Sequence, residues 1–239
     1  GHRDAAAAGA ERVGCRAGPR LMHLVVINPN STVSMTEKAV TAARNVAPGA
    51  RVEGVTCHGA PPAIQGPEDD ALCRPFVLAE VDKAAARGAD AIVIACFDDP
   101  ALDAARARVS IPVIGIGEAA FHAAMLLGGR FSVVTTLPVA IPIIEDNLMH
   151  YGIAGACARV RAAGVAVLEL EDESSGAAQK VSAEIARAKA DDGVGAIVLG
   201  CAGMADLARQ MEAAHGLKVV DGVGAAAAFA AALVNLRRG

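Results

Sequence analysis

Short apolar runs alternate with alanine-rich segments along almost the whole chain. HLVVIN (His23–Asn28) is the first run, and FSVVTT (Phe131–Thr136) resembles it in length and period in the second half. Short runs rich in β-branched residues are typical of strands. The pattern predicts eight strands, at His23–Asn28, Arg51–Thr56, Ala91–Ala95, Pro112–Ile116, Phe131–Thr136, Val165–Leu170, Ala196–Leu199 and Lys218–Val220.

The segments between these runs predict helices. A first helix follows PNSTVS, where Ser34 and Glu37 have the spacing of a capping box. Strands that alternate with helices imply parallel sheets covered on both faces, so the predicted fold class is α/β. The other predicted helices lie near Ala71–Arg87, Pro100–Arg108, Ile141–Tyr151, Gln179–Lys189, Ala205–Ala214 and Ala225–Leu236.

Two stretches repeat one pattern in the two halves of the chain. GADAIVIACFDDP (Gly88–Pro100) and GVGAIVLGCAGM (Gly193–Met204) place Cys96 and Cys201 after matching apolar runs. Ligands of open α/β sheets bind beyond the carboxyl ends of the strands. The candidate site positions under this rule are the strand ends at Asn28, Cys96, Thr135–Thr136 and Cys201.

The matching cysteines indicate proton transfer at carbon. A single buried cysteine is most often a small core residue. Cys96 and Cys201, however, each lie just past a strand and before a predicted helix N-terminus, which favours thiolate. One thiolate would remove a proton from a stereocentre, and the other cysteine, as a thiol, would return one to the opposite face. Cys57, Cys73 and Cys157 lack this combination, and we interpret them as structural.

Composition narrows the class of protein. The 239 residues are 54% hydrophobic and 20% charged, with a formal net charge of −4, as in a globular chain. The sequence has no basic stripe of the kind that predicts nucleic-acid binding. It also has no apolar run long enough to predict a membrane span. The six cysteines form no CxxC pair and no zinc-site spacing, so we expect no metal and predict free thiols in a reducing cytoplasm. We interpret residues 1–21, with Cys15, as a disordered tag or upstream extension.

GIGEAA (Gly115–Ala120) follows a strand and loosely matches a dinucleotide-binding fingerprint. Ala120 replaces the third glycine, and the next strand ends in Thr135–Thr136 without the acid that would hold a ribose hydroxyl. A similar turn, Gly222-Val-Gly224, stands at the equivalent place in the second half. Its occurrence in both halves favours close packing, or a crossing between lobes, over nucleotide binding.

Five motifs spread over the chain carry a resemblance to a known family. They are INPNST (Ile27–Thr32), ACFDDP (Ala95–Pro100), FSVVTTL (Phe131–Leu137), PIIEDN (Pro142–Asn147) and LGCAGM (Leu199–Met204). Together they resemble the aspartate/glutamate/hydantoin racemase superfamily, and most of all its hydantoin and allantoin racemases. The resemblance implies two pseudo-symmetric lobes, each a parallel sheet flanked by helices, with the active site in the cleft between them. We assign residues 22–119 and 224–239 to lobe 1 and residues 120–223 to lobe 2.

The resemblance also implies roles for individual residues. Cys96 and Cys201 become the two acid/base residues, and no cofactor is expected. Asn28 and Asn30 are explained equally well as turn formers, because Asn-Pro-Asn is turn chemistry in its own right. The implied substrate-binding residues are Asn28, Asn30, Ile64, Phe97, Thr135, Thr136, Gly200 and Ala202.

The residues after Cys96 depart from the amino-acid racemases of the superfamily. Those enzymes usually carry Asn-Thr there, which holds an α-carboxylate, whereas this chain has Phe97 and Asp98. The change argues for a cyclic ureide as substrate. We interpret Asp98 and Asp99 as caps of the helix that follows Cys96. Ala101 stands where the resemblance leads us to expect glycine.

The prediction is therefore a cofactor-independent isomerase that racemises 5-substituted hydantoins or allantoin, as a cytoplasmic homo-oligomer without nucleic-acid or membrane partners. Maleate cis–trans isomerisation and arylmalonate decarboxylation are the alternatives within the superfamily. There, a single cysteine acts as nucleophile or proton donor. An alternative from another class is a two-lobed small-molecule binding protein without catalysis, whose cysteines would be inert.

Overall fold

The computed structural model describes residues 20–238, so nearly all of the predicted extension, including Cys15, lies outside the described residues. Within these residues, each half of the chain forms four strands and four α-helices. The first half contains β1 (Met22–Asn28), α1 (Val33–Val46), β2 (Ala50–Thr56), α2 (Pro67–Ala86), β3 (Ala91–Ile94), α3 (Leu102–Arg108), β4 (Val113–Gly115) and α4 (Ile116–Gly128). The second contains β5 (Phe131–Thr135), α5 (Ile141–His150), β6 (Cys157–Ala162), α6 (Ala177–Asp191), β7 (Ala196–Gly200), α7 (Ala208–His215), β8 (Lys218–Asp221) and α8 (Gly222–Arg238).

The two halves form two parallel sheets with the same topology. The strand order is β2-β1-β3-β4 in the first sheet and β6-β5-β7-β8 in the second. The strands β1, β3, β5 and β7 are buried over their whole length, which explains why their sequences are apolar without a period of two. Two parallel-sheet lobes flanked by helices confirm the predicted fold class.

The helices α4 and α8 cross between the lobes. α4 follows the first sheet but packs on β7 and β8 of the second, whereas α8 follows the second sheet and packs on β1, β3 and β4 of the first. The two helices also pack against each other. A methyl group built on Gly222 would lie 2.6 Å from the Ile116 carbonyl oxygen, so this glycine permits the close crossing. The glycine turns therefore serve packing, as predicted.

One predicted strand is wrong. Residues Val167–Glu171 form a short 3-10 helix, and the sixth strand is instead β6, with the sequence CARVRA. β6 is an edge strand, and its charged residues hide the apolar pattern. Arg161 is buried because its guanidinium binds both Asp192 oxygens, at 2.6 and 2.7 Å, and Glu184 at 3.0 Å. Such pairing is invisible in a hydrophobic pattern.

The predicted capping box is also wrong. α1 begins at Val33, and Ser34 lies inside it, two residues after the N-cap position. The N-cap residue is Thr32, and its hydroxyl donates to the Pro62 carbonyl at 2.7 Å instead of accepting a helix N–H. The start of α1 is therefore fixed by the neighbouring loop. Within residues 20–238, the helices are all too short or too polar to cross a bilayer.

Candidate active site

Cys96 and Cys201 occupy equivalent places in the two lobes. Each follows the strand third in its sheet, β3 or β7, and each is only partly exposed. The backbone N–H two residues further on, of Asp98 in one turn and of Gly203 in the other, lowers the pKa of the cysteine. The sequence repeat is thus a repeat of local structure around each thiol.

A cavity of about 410 Å³ lies between the carboxyl ends of the two sheets and is lined by both cysteines. It contains every predicted site residue except Asn28. From lobe 1 come Asn30, Met35, Ile64, Ala95, Cys96, Phe97 and Asp98, and from lobe 2 Thr135, Thr136, Ala140, Val167, Gly200, Cys201 and Ala202.

Asn28 organises the loop rather than lining the cavity. Its buried amide donates to Asn30 Oδ1 at 2.8 Å, to the Thr32 carbonyl at 3.0 Å and to Thr36 Oγ1 at 3.0 Å. Asn30 does line the cavity, and its Nδ2 faces only the Met35 sulfur, a weak acceptor, at 3.4 Å. The two asparagines therefore have different roles. Asn28 forms the turn, and Asn30 presents an amide to the cavity.

The two threonines also differ. The Thr135 hydroxyl donates to the Gly200 carbonyl at 3.0 Å, which joins the end of β5 to the end of β7. The Thr136 hydroxyl has no hydrogen-bond partner among residues 20–238, although its backbone carbonyl accepts from Gly164 and Val165. Thr136 is consequently the hydroxyl that is available to a ligand carbonyl.

Phe97 is mainly a core residue at the edge of the cavity. It is 3% exposed, and its ring packs edge-on against Phe121, with centroids 5.3 Å apart. Phe121 in turn stacks on Phe131 at 6.0 Å. This aromatic cluster joins β5 of lobe 2 to the turn after Cys96, because Phe121 belongs to the crossing helix α4.

Several lining residues were not predicted from the sequence. Met35 and Val167 pack with Ala63 against Cys201 and form an apolar wall on its side of the cavity. Val167 is delivered by the 3-10 helix that was predicted as a strand, and its N–H donates to Gln65 Oε1 at 2.9 Å across the lobes. Met35 faces the site from α1, where helical spacing alone marks it as a core residue. Ala95, Asp98 and Ala140 complete the unpredicted set.

Burial disfavours thiolate at both cysteines. It raises the pKa of Cys201 to about 12 and that of Cys96 well above the usual value, and the Asp98 charge raises both further. The N–H donors of Asp98 and Gly203 act in the opposite direction but are outweighed. The backbone N–H groups thus act in the expected direction, but burial is the larger effect at both residues. Moreover, α3 begins only at Leu102, so Cys96 does not adjoin it.

Asp99 caps a different helix from the predicted one. Its carboxylate accepts from the N–H groups of Gly117 and Glu118, at 2.9 and 2.8 Å, and from the Tyr151 hydroxyl at 2.8 Å. It therefore caps α4, not α3, whose N-cap Ala101 makes no side-chain bond. Burial raises the pKa of the Asp99 carboxyl, while these three donors lower it. Asp98 caps neither helix and lines the cavity instead.

Among residues 20–238, no group of three or more His, Cys, Asp or Glu side chains is placed to hold a metal ion. The titratable groups lining the cavity are two thiols and one carboxyl. Such a set can move protons between a ligand and the protein.

The fold and the two matching thiols place this chain among two-lobed α/β proteins with a site between the lobes. Comparison with known proteins identifies the family. The family model described as Asp/Glu/Hydantoin racemase matches residues 24–230. The chain is 47% identical over 215 residues to a hydantoin racemase of Rhizobium meliloti, covering 90% of this chain and 89% of that protein. It is 38% identical over 216 residues to a hydantoin racemase of a Pseudomonas species, covering 90% and 87%. The chain belongs to the Asp/Glu/hydantoin racemase family and is an enzyme of the isomerase class.

Solved structures agree with this assignment. An allantoin racemase from Klebsiella pneumoniae superposes with a TM-score of 0.88 at 43% identity, covering 90% of this chain and 89% of that one. A glutamate racemase from Bacillus anthracis gives a TM-score of 0.71 at 15% identity over 90% and 82% of the two chains. The second likeness concerns the fold alone.

Proposed function

We propose that this enzyme racemises 5-substituted hydantoins, with allantoin as one such substrate, by a two-cysteine mechanism. The observation that carries the proposal is the pair of equivalent thiols, Cys96 and Cys201, which approach one cavity from opposite lobes. Hydantoin racemases and allantoin racemases are among the relatives that match over most of the chain. A stereocentre held between the two sulfurs would present one face to each.

The proposed reaction balances within the pair. A thiolate takes the C5 proton, and the C–H electron pair passes into the adjacent C4 carbonyl to give an enolate. The opposite cysteine, as a thiol, then donates its proton to the other face of C5 and becomes the thiolate. The reverse direction exchanges the two roles. Because the two cysteines supply both acid and base, the step requires no cofactor.

The enolate oxygen needs hydrogen-bond donors. Thr136 is the best placed, since its hydroxyl has no partner in the described part of the chain and lines the cavity. The Asn30 amide is the second candidate, because its bond to the Met35 sulfur is weak. Thr135 acts indirectly, by holding the Gly200 carbonyl beside Cys201.

Charge within the cavity favours a neutral ring over a free amino acid. The Asp98 carboxyl lines the cavity, and no Lys or Arg does. An α-carboxylate would therefore meet a like charge without a partner. A hydantoin ring presents two amide-like carbonyls and no carboxylate, which agrees with Phe97 and Asp98 standing in place of Asn-Thr.

The test uses single enantiomers of allantoin, 5-benzylhydantoin and 5-isobutylhydantoin. Loss of circular dichroism in D2O and deuterium at C5 by NMR would be followed for wild type, Cys96→Ser and Cys201→Ser. We expect optical activity to decay with deuterium uptake in the wild type and neither serine variant to racemise. Cys157→Ser is the matched control, because Cys157 is partly exposed and lies outside the cavity.

Other outcomes separate the alternatives. A wild type that leaves all three substrates optically intact would contradict the proposal, and maleate and arylmalonates would be assayed next. If only one serine variant were inactive, a single-cysteine reaction would replace racemisation. Slow, ordinary alkylation of Cys96 and Cys201, with neither turnover nor deuterium uptake, would indicate a binding protein, whereas rapid alkylation that is blocked by ligand would favour the enzyme.

The cytoplasmic location, homo-oligomerisation and the residue boundaries of the lobes stay predictions. Cys57, Cys73, Cys96, Cys157 and Cys201 are all unpaired within residues 20–238, which supports a reducing compartment. Size-exclusion chromatography with light scattering would measure the number of subunits.

A further inference from the structure

Asp98 separates two cavities. Of the described residues, it alone lines both the active-site cavity and a second space of about 1050 Å³ on the other side of the turn. The second cavity lies between α2, α3 and α5, and its wall is part polar and part apolar. Its wall includes Asp70, Arg74, Asp103, Asn147, His150 and Tyr151.

The Asp98 carboxyl has no hydrogen-bond or ion-pair partner among residues 20–238, whereas three other acidic residues of the second cavity are occupied. Asp70 pairs with Arg74 at 2.7 Å, Asp99 accepts from Tyr151, and Asp103 pairs with His150 at 2.9 Å. The Asp98 backbone is fixed, because its carbonyl accepts from Asn147 Nδ2 at 3.0 Å. An ionisable group is thus held at the boundary of both cavities with its oxygens uncommitted.

Asp98 is also electrostatically coupled to both thiols. Its charge raises the pKa of Cys96 and that of Cys201. Burial, together with the Asp70 charge, raises the pKa of Asp98 itself to about 7. At neutral pH, the group therefore exists in both protonation states, as a proton carrier requires.

The two-cysteine mechanism creates a need for such a carrier. Each turnover in one direction leaves the former thiolate protonated and the former thiol deprotonated. The enzyme must exchange these states before it can accept the same enantiomer again. Direct transfer between the sulfurs is blocked while a ligand fills the space between them, and once product leaves, some group must carry the proton.

We propose that Asp98 carries the proton that resets the two cysteines between turnovers and exchanges it with solvent through the second cavity. The protonated carboxyl first gives its proton to the cysteine left as thiolate. The resulting carboxylate then takes the proton of the other cysteine, whose S–H electron pair stays on sulfur. Charge and proton number are unchanged overall. The proposal rests on the two-cysteine racemisation described above.

The test separates the reset step from chemistry on the substrate. Initial racemisation rates of one allantoin enantiomer would be measured from low to saturating concentration for wild type, Asp98→Asn and Asp103→Asn. We expect Asp98→Asn to keep kcat/KM within about threefold of wild type but to lose roughly tenfold or more in kcat, since only the reset is slowed. Imidazole added at constant pH should restore kcat by carrying the proton. Asp103→Asn lines only the second cavity and should behave as wild type.

Three outcomes would overturn the proposal. Equal losses in kcat and kcat/KM would assign Asp98 to substrate binding or to structure, and an unchanged kcat would exclude a reset role. A wild type without racemisation would overturn this proposal together with the proposed function, whereas the first two outcomes leave that function intact. Far-UV circular dichroism would verify folding. Asp98→Ser provides a second neutral variant if Asp98→Asn does not fold, and Asp98→Glu, which keeps the carboxyl, should retain kcat.

Discussion

The helices α4 and α8 occupy equivalent places in the two lobes, yet their N-termini are capped by different routes. Gly115 pairs with Ile94 in the first sheet, as Asp221 pairs with Leu199 in the second, so Gly115 and Asp221 are structural counterparts. Asp221 caps α8 locally, by accepting from Val223 N at 3.0 Å and from the next N–H at 2.8 Å. In the first lobe, the same two N–H positions are capped by Asp99, which comes from the turn after Cys96.

As a result of this difference, the turn that carries Cys96 is bonded to the lobe interface, whereas the turn that carries Cys201 is not. A methyl group on Gly115 would overlap the Asp99 carboxyl, so the local cap had to be absent for the distant one to fit. Asp99 also accepts a hydrogen bond, of 2.8 Å, from the hydroxyl of Tyr151. Tyr151 directly follows α5, in the second half of the chain. The Cys96 turn is thereby fixed to α4 and α5, whereas Cys201 directly precedes its own 3-10 helix, Ala202–Leu207.

The largest expected effect concerns the two thiols themselves. Cys96→Ser and Cys201→Ser should each reduce racemisation by about 10³-fold, because each removes one acid/base group. Each variant should still exchange the C5 hydrogen of one enantiomer with D2O without inversion, since the remaining cysteine can remove and return a proton on its own face. NMR of each enantiomer separately measures this. Exchange of the same enantiomer by both variants would contradict opposed thiols.

The second prediction compares the two caps. Asp99→Ala should lower the free energy of unfolding by about 3 kcal/mol, because it leaves one buried and one partly buried N–H group and the Tyr151 hydroxyl unpaired. Asp221→Ala removes only a local cap and should cost about 1–2 kcal/mol. Urea denaturation measures both. Equal costs would mean that the distant cap has no structural role beyond the local one.

The third prediction transfers the local cap to the first lobe. Adding Gly115→Asp to Asp99→Ala should recover about 1 kcal/mol of the lost stability, because an aspartate at this position can cap α4 as Asp221 caps α8. Racemisation should stay impaired, since the Cys96 turn is still detached from α4. The readouts are urea denaturation and kcat. Recovery of both together would show that Asp99 matters only as a cap.

The two lobes also differ in how well their features could be predicted from the sequence. The apolar runs and the repeat around Cys96 and Cys201 were sufficient for the α/β class and for the convergence of both cysteines on one cavity. The predicted strand near 165–170 failed because β6 is an edge strand whose Arg161 is neutralised by residues of α6 and its C-terminal end. The hydrophobic pattern along the sequence does not reveal such pairing between side chains of different elements.

The role of Asp99 was missed for a related reason. Its sequence neighbours indicate a cap for the next helix, and only the crossing of α4 between the lobes brings another helix N-terminus within reach. Val167 likewise reaches the cavity through a long-range bond to Gln65. Local sequence patterns therefore do not predict the contacts that arise only when the two lobes pack together.

The fourth prediction concerns the electrostatic difference between the turns. Asp98 raises the pKa of both thiols, ranking directly after burial at Cys96 and after burial and the Gly203 N–H at Cys201. Asp98→Asn should therefore increase the rate of iodoacetamide alkylation of both cysteines at any given pH below their pKa. Mass spectrometry of the two peptides from pH 6 to about 11 measures these rates, since thiolate is the reactive form. A lower rate at either cysteine would mean that Asp98 acts as a donor to the thiolate.

The smallest effect is expected at Ala101, which has the left-handed backbone angles φ 60° and ψ 18° just before α3. Replacement by glycine should relieve about 1–2 kcal/mol of backbone strain. It should also lose a buried methyl group worth about 0.8 kcal/mol and gain unfolded-state freedom worth about 0.4–1 kcal/mol. These contributions nearly cancel, so Ala101→Gly should change the free energy of unfolding by less than about 0.5 kcal/mol.

This balance accounts for an alanine at a position where glycine is expected. Ala101 is 9% exposed, and it packs in the same apolar cluster as Leu102 and Ala105, so its methyl group offsets the strain of its backbone. Urea denaturation of Ala101→Gly measures the balance, with kcat expected to be unchanged because the residue lies outside the active-site cavity. A stabilisation above about 1.5 kcal/mol would show that packing leaves the strain uncompensated. An equal destabilisation would show that the methyl group holds the Cys96 turn in place.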